Sequence, residues 1–356
     1  MKLFGTFVSV VLAAPAVYDY TAQSTAGSVW DQGVCQTGTG QSPIDVDESN
    51  LTTVTEKFDK FTFVNYENPH KWTVKNTGHG VKIVPDVEDM TFTGGAFSEE
   101  YKLAQFHFHW GQGDGQGGYT GGSEHTFNGN HYFSEVHFVH YKSSHSDLSA
   151  AVASGNQDDL AVLGFWLEID DSIDEGPFDY LITDIVDDKV QAYNNVTETN
   201  EVIFWSANHI IDTDDVGSSS FYRYDGGLTT PTCNEIVTWT VFKDTIKIKA
   251  ATAAKMTTFS NDNQGALVNN FRETQDLNGR AVKFYDGSLA KDPSAPTSTP
   301  TTSNNTEKKS KVDAKVAFGM LPVSFEDPLS GEVSTVMKPV QKIIMCFTNS
   351  DLCMFQ

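Results

Sequence analysis

His107 and His109, in the run Gln105-Phe106-His107-Phe108-His109-Trp110, have the residue type and spacing to hold a metal ion. Successive side chains of a β-strand alternate faces, so Gln105, His107 and His109 point one way and Phe106, Phe108 and Trp110 the other. Two imidazoles then stand on one wall, about 7 Å apart at Cα. A second alternating run, 132–140, puts Glu135, His137 and Val139 on one face and supplies a third histidine. Three neutral histidines with one open position describe a catalytic zinc site, because a structural zinc is normally closed by a fourth protein ligand. Gln105 shares the face of His107 and Glu135 that of His137, so both are candidates to orient the ligands. For the H-x-H pair alone, two half-buried strand histidines without a metal are the alternative.

The elements that must carry these residues are short strands. Phe58–Asn65, Trp72–Asn76, Val81–Val84, Met90–Thr93 and Leu103–Trp110 are separated by Pro and Gly, which points to a predominantly β core. Leu160–Leu167 is an apolar run of the kind found in a buried strand, and Ile236–Phe242 and Ile246–Ala250 resume the strand pattern. Residues 177–193 have mixed helical spacing and are expected to form a surface helix. The glycine-dense stretch 111–122 lacks a following Lys-Ser/Thr and is expected to be a flexible connection, not a phosphate cradle. Asn128-Gly129 signals a tight hairpin leading into the third ligand strand.

The chain has 356 residues and a formal net charge of −23, nearly all of it within residues 17–284. Such a surplus makes nucleic acid and anionic membrane improbable partners; it suits an acidic surface, or a saline exterior in which self-repulsion is screened. The start, one Lys, a short apolar run and Ala14-Pro15-Ala16, is that of a secretory signal, 1–16, too short to anchor in a bilayer. No later segment has the length of a transmembrane span, so a soluble mature protein that enters the secretory route, secreted or extracellular/periplasmic, is expected. Four cysteines, Cys35, Cys233, Cys346 and Cys353, allow three disulfide pairings in that oxidising route. Asn50, Asn195 and Asn304 begin glycosylation sequons. After Tyr285 the composition changes: 285–312 is a Pro/Ser/Thr-rich linker with little capacity to bury surface, and 313–356 is a C-terminal extension of unassigned role that regains apolar residues.

Several blocks in one order carry a resemblance. Gln-Phe-His-Phe-His-Trp-Gly at 105–111, Gly-Ser-Glu-His-Thr at 122–126 and Glu-Val-His-Phe-Val-His at 135–140 resemble the zinc-site blocks of the α-class carbonic anhydrases. Ser42-Pro43-Ile44-Asp45, 160–164, Leu228-Thr229-Thr230-Pro231, Thr238-Trp239 and Asn270-Phe271-Arg272 match in the same order, over roughly 18–284. The resemblance implies one mainly β (α+β) catalytic domain, 17–284, around a central, mostly antiparallel ten-stranded twisted sheet with short peripheral helices. It implies one Zn2+ on His107, His109 and His137, and reversible hydration of carbon dioxide to bicarbonate by zinc-bound hydroxide.

By the same resemblance Thr229 accepts the hydroxide's hydrogen and donates its own to Glu124, since an ionised carboxylate can only accept. Val139, Val162, Leu228, Thr230 and Trp239 are implied to line the substrate pocket, and Gln105, Glu135 and Asn270 to orient the ligand histidines, with Arg272 a support. Tyr18-Asp19-Tyr20 stands where the family usually has a Trp-containing motif, and Tyr20 is the expected active-site hydroxyl. His79, between Gly78 and Gly80, falls at the family's proton-shuttle position, and an ordinary imidazole pKa suits that exchange. The family's extracellular disulfide selects Cys35–Cys233 and leaves Cys346 and Cys353. Sulfonamides and anions are the implied inhibitors. A non-catalytic carbonic anhydrase-like binding or matrix protein is the alternative, and it would be marked by loss of a zinc histidine.

Overall fold

The computed structural model describes residues 18–20, 30–68, 70–186, 192, 196–198, 216–293, 312–326, 333–347 and 353–355. The expected signal, 1–16, and the sequons at Asn195 and Asn304 lie outside these. The chain divides into two compact units, Met1–Ala295 and Pro296–Gln356.

In the first unit ten strands follow one another across a sheet: β1 (Leu51–Val54), β2 (Trp72–Asn76), β3 (Val81–Pro85), β4 (Tyr101–Trp110), β5 (Ser134–Lys142), β6 (Leu160–Ile169), β7 (Val196–Glu198), β8 (Phe221–Gly226), β9 (Val237–Phe242) and β10 (Val282–Tyr285). Their spatial order is β7-β2-β3-β4-β5-β6-β9-β8-β10-β1, and three further strands bring the sheet to 13. The expected count of ten therefore describes the continuous path, not the whole sheet. The sheet is mixed: β6 lies parallel to β9 and to Ile246–Ile248, and β10 parallel to β1.

The two ligand-bearing strands sit in the middle of this sheet. Antiparallel pairing sets His137 of β5 opposite His107 of β4, and Glu135 opposite His109. On the far face Phe106, Phe108, Trp110, Val136 and Phe138 enter a large aromatic core with Phe165, Phe178 and Phe242. On the histidine face a second cluster gathers Val139, Val162, Trp166, Tyr224 and Trp239, with Leu228 packed against it. Alternation along β4 thus separates chemistry from packing, whereas β6 is buried along Leu160–Leu167 because it has neighbours on both faces and both edges.

Local departures from the expected elements have identifiable causes. The strand expected over 58–65 is two, Phe58–Asp59 paired with Ala290–Lys291 and Thr62–Val64 paired with Thr91–Thr93. Within 177–193 the described helix covers Leu181–Val186, and most of 187–193 lies outside the described residues. The strand expected to reach Ala250 stops at Ile248, and Ala250–Met256 is a helix whose first amides bond to Asp179 and Asp171 side chains. A short helix, Leu148–Ser154, starts on an Asp147 cap and ends at Gly155 with φ +70°. Past Tyr285, in the stretch whose composition reads as linker, Ala290–Lys291 still pairs with Phe58–Asp59.

The second unit holds a three-stranded antiparallel sheet of Val312–Glu326, Val333–Phe347 and Cys353–Phe355, with Cys346 opposite Cys353 in register. Among the described residues no helix is long and apolar enough to cross a membrane.

Candidate metal centre

His107, His109 and His137 each offer a ring nitrogen within 4.8 Å of the other two. Their second nitrogens all point outward to fixed acceptors. His107 Nδ1 donates to Gln105 Oε1 at 3.0 Å, His109 Nδ1 to the Asn270 carbonyl at 2.7 Å, and His137 Nε2 to Glu135 Oε1 at 2.7 Å. Each bond fixes a tautomer, so His107 Nε2, His109 Nε2 and His137 Nδ1 are left as lone-pair bearers. His109 Nε2 is buried with no hydrogen-bond partner at all. An unsatisfied buried acceptor costs about 1–3 kcal/mol, and three converging neutral imidazoles are the donor set zinc prefers, so the residues fit a bound Zn2+. Burial first, then the neighbouring histidines, hold His107 well below its ordinary pKa; burial likewise lowers His109, so both are neutral and ready to coordinate.

In a second cluster, His125, Glu135 and His137, the carboxylate is already engaged by three donors. Glu135 Oε1 accepts from His125 Nδ1 and His137 Nε2, both at 2.7 Å, while Oε2 accepts from the His125 amide at 2.8 Å. His125 Nε2 lies 2.7 Å from the Tyr224 hydroxyl, itself 2.8 Å from Ser42 Oγ. Burial alone would raise the Glu135 carboxyl, but the two imidazoles hold it far below the usual carboxylate range. The cluster is a relay of hydrogen bonds anchoring one ligand. Gly164 of β6 faces it, opposite His137, and a Cβ there would come within 3.1 Å of Glu135 Oε1.

Asn270 ties three pieces together. Besides its carbonyl on His109, its Oδ1 accepts from the Trp110 amide at 2.8 Å and its Nδ2 donates to the His79 carbonyl at 3.0 Å. Arg272 is buried; its guanidinium donates to Gln41, Ser42 and Cys35, and its backbone amide donates to Glu124 Oε1 at 2.9 Å. Glu124 is fully buried, and its Oε2 has no hydrogen bond. Thr229 is buried in the segment that follows β8, but the hydrogen bonds of Glu124 do not include it. Cys35 and Cys233 form the disulfide expected from the resemblance, and the Cys233 amide donates to the Thr230 carbonyl, which ties the Leu228–Thr230 stretch to it.

Val139, Val162 and Trp239 are buried side by side, with Leu228 half-buried beside them and Thr230 on the same loop. His79 is half-buried, and burial lowers its pKa against the pull of Asp262 and Asp19. Its ring stacks on Tyr18 at 4.3 Å between centroids. Tyr18 in turn is hydrogen-bonded to Tyr20 and Thr230, and its hydroxyl is pushed up to about 12, chiefly by burial. Tyr20 packs edge-on to Trp30 and Tyr18.

The sequence points to Tyr20, whereas it is Tyr18 that stacks on His79; two aromatics two positions apart are the available signal. The sequence reading also gives no role to Gly164, an isolated glycine inside an apolar strand run, which is the usual mark of a close approach.

The family model for eukaryotic-type carbonic anhydrase matches residues 25–286. Carbonic anhydrase 4 of Rattus norvegicus is 33% identical over 247 residues, 68% of this chain and 74% of that protein. Carbonic anhydrase 4 of Mus musculus is 30% identical over 251 residues, 68% and 74% of the two chains. Carbonic anhydrase 6 of Bos taurus is 31% identical over 252 residues, 69% and 73%.

Proposed function

The chain belongs to the eukaryotic-type carbonic anhydrases, and from that premise we propose that it hydrates carbon dioxide reversibly at a zinc ion held by His107, His109 and His137. The observation that carries the reading is the partnerless, buried His109 Nε2 amid two further imidazoles whose other nitrogens are all engaged. Zinc bound there supplies a Lewis acid that brings the pKa of a water in its open position toward neutrality.

The chain's own residues do the rest. Gln105, the Asn270 carbonyl and Glu135 hold the three rings in the tautomers that leave lone pairs inward. Glu124, fixed at Oε1 by the Arg272 amide, keeps Oε2 free to accept from Thr229. Because a carboxylate only accepts, Thr229 must donate to it, and its oxygen is left to accept a hydrogen from the reacting water and so aim the nucleophile. Carbon dioxide is small and without a strong hydrogen-bonding handle, so the apolar wall of Val139, Val162, Leu228 and Trp239, with Thr230 at its edge, is its binding surface. His79 receives the proton that hydration releases and passes it to buffer, while Tyr20 and Tyr18 bound its side of the cleft. Bicarbonate is the product, and sulfonamides and small anions are the inhibitors. Residues 1–16 direct the chain into the secretory route.

One preparation tests this by two measurements, CO2 hydration and zinc content. One zinc per chain and sulfonamide-sensitive hydration are expected, with both lost in His107→Ala; full activity in a metal-free sample overturns the proposal. In His79→Ala, zinc content stays while maximal turnover in weak buffer falls, and concentrated imidazole restores much of it. An unchanged maximal rate in weak buffer removes His79 from proton export.

A further inference from the structure

A cationic row leads into the metal centre from the β2 side of the sheet. Register sets Lys75 of β2 opposite Lys82 of β3, Lys82 opposite His107 of β4, and His107 opposite His137 of β5. Val81 and Ile83, which flank Lys82, are buried in the aromatic core on the far face, so alternation turns Lys82 to the histidine face. Lys82 is half-buried and Lys75 exposed.

Like charges directly opposite one another on an antiparallel pair are destabilising. Among the described residues no carboxylate pairs with either. Lys60, Lys142, Lys247 and Lys291 form ion pairs, whereas neither Lys75 nor Lys82 stands in one among the described residues. Asp19 and Asp262 act on His79, and Glu135 is taken up by His125 and His137. Burial and then the Lys75 charge both lower the proton affinity of the Lys82 amine, and the Lys82 charge is felt at His107. A half-desolvated ammonium facing a second one, with no counter-ion among the described residues, is stabilised by an anion.

The rest of the molecule makes that placement selective. A net charge of −23 repels anions from the surface as a whole. The reaction proposed above has an anionic partner, and a local positive potential draws it to the cleft. We propose that Lys82, with Lys75 behind it, forms an anion subsite beside the three-histidine cluster that receives bicarbonate, an assignment that rests on the carbonic anhydrase reading. The ammonium groups meet the carboxylate-type oxygens of bicarbonate on its way to or from the reacting position. Carbon dioxide, which is neutral, is indifferent to them.

The test is calorimetric binding to the zinc-loaded protein of benzenesulfonamide and of its 3- and 4-carboxy derivatives. Wild type is compared with Lys82→Gln, Lys75→Gln and Lys82→Arg. Affinity for the neutral ligand reports an intact metal site, and the ratio of carboxylated to neutral affinity reports the subsite. At low salt Lys82→Gln should reduce that ratio about three- to tenfold, Lys75→Gln less, and Lys82→Arg hardly at all. The difference should fade toward about 1 M NaCl, where screening is complete within a few ångströms. An unchanged ratio in Lys82→Gln, with the neutral ligand still bound, overturns the subsite alone. Failure of wild type to bind any of the sulfonamides overturns the zinc reading, and the bicarbonate assignment with it.

Discussion

His137 and His140 stand three residues apart on one strand, both buried, and they face opposite sides of the sheet. On the aromatic side His140 has both ring nitrogens occupied. Nδ1 donates to the Phe138 carbonyl at 3.0 Å, and Nε2 accepts from the Tyr66 hydroxyl at 2.5 Å. The ring of Phe92 packs edge-on against it. On the other side His137 spends one nitrogen on Glu135 and leaves the second to a cluster of imidazoles. Burial and residue type are the same in the two places. What separates a core histidine from a candidate ligand is whether the fold supplies the second hydrogen-bond partner or withholds it.

The largest effect should come from removing each ring in turn. His137→Ala should take zinc from one per chain to near zero and abolish hydration. His140→Ala should keep the metal but lower the unfolding free energy by about 2–4 kcal/mol, through a cavity and the stranded Tyr66 hydroxyl. Zinc analysis and urea unfolding of both variants check this. A folded His140→Ala protein without zinc, or a His137→Ala protein that retains it, would break the distinction.

The acid response is next in size. Burial pushes His140 down to about 3, against the pull of the carbonyls it bonds. Its folded value lies below the roughly 6.5 of an unfolded chain, so the unfolded state binds the extra proton as pH falls. The stabilisation is therefore complete above about pH 6.5 and drains away toward pH 3, by at most about 5 kcal/mol. Glu135, held low, adds a loss of the same sign at still lower pH. Urea unfolding of wild type and His140→Gln between pH 7 and pH 4 should show a shallower decline in the variant. Parallel declines would mean that His140 is not the group being charged.

How much of this could be seen in the sequence depends on whether the cause is local. The alternation Gln105 to Trp110 is local, and it assigned the histidines and aromatics of β4 to their faces. Glu124, Thr229, Asn270 and Arg272 come from distant loops, and ordered blocks resembling a known family, not periodicity, singled them out. Lys82 beside His107, Gly164 beside Glu135 and Tyr18 on His79 are matters of which strands and segments become neighbours. No window along the chain contains that information. The helix Ala250–Met256 was missed for the same reason: its amides are capped by Asp171 and Asp179, some seventy residues earlier. His140 was legible as a histidine without a role, but its partner Tyr66 lies 74 residues away.

The smallest expected effect sharpens the contrast at the partner rather than at the ring. Glu135 serves three donors at once, the His125 and His137 rings at Oε1 and the His125 amide at Oε2. In Glu135→Gln one of those oxygens becomes an NH2 group, which can only donate. With the amide oxygen kept toward the two rings, the NH2 meets the His125 N–H head-on; with the amide flipped, it meets both ring N–H groups. Either way a buried donor loses its acceptor, and His137 loses the negative charge that strengthens its hold on a cation. Gly164, which leaves room for the native pair, gives the amide little freedom to turn aside. The expectation is a zinc affinity about 10–100-fold weaker with the histidines all present, measured by competition with a chelator. Equal zinc affinity in Glu135→Gln would show that His137 needs no partner to act as a ligand. The difference between the two faces of β5 would then lie in access to the cleft, not in hydrogen bonding.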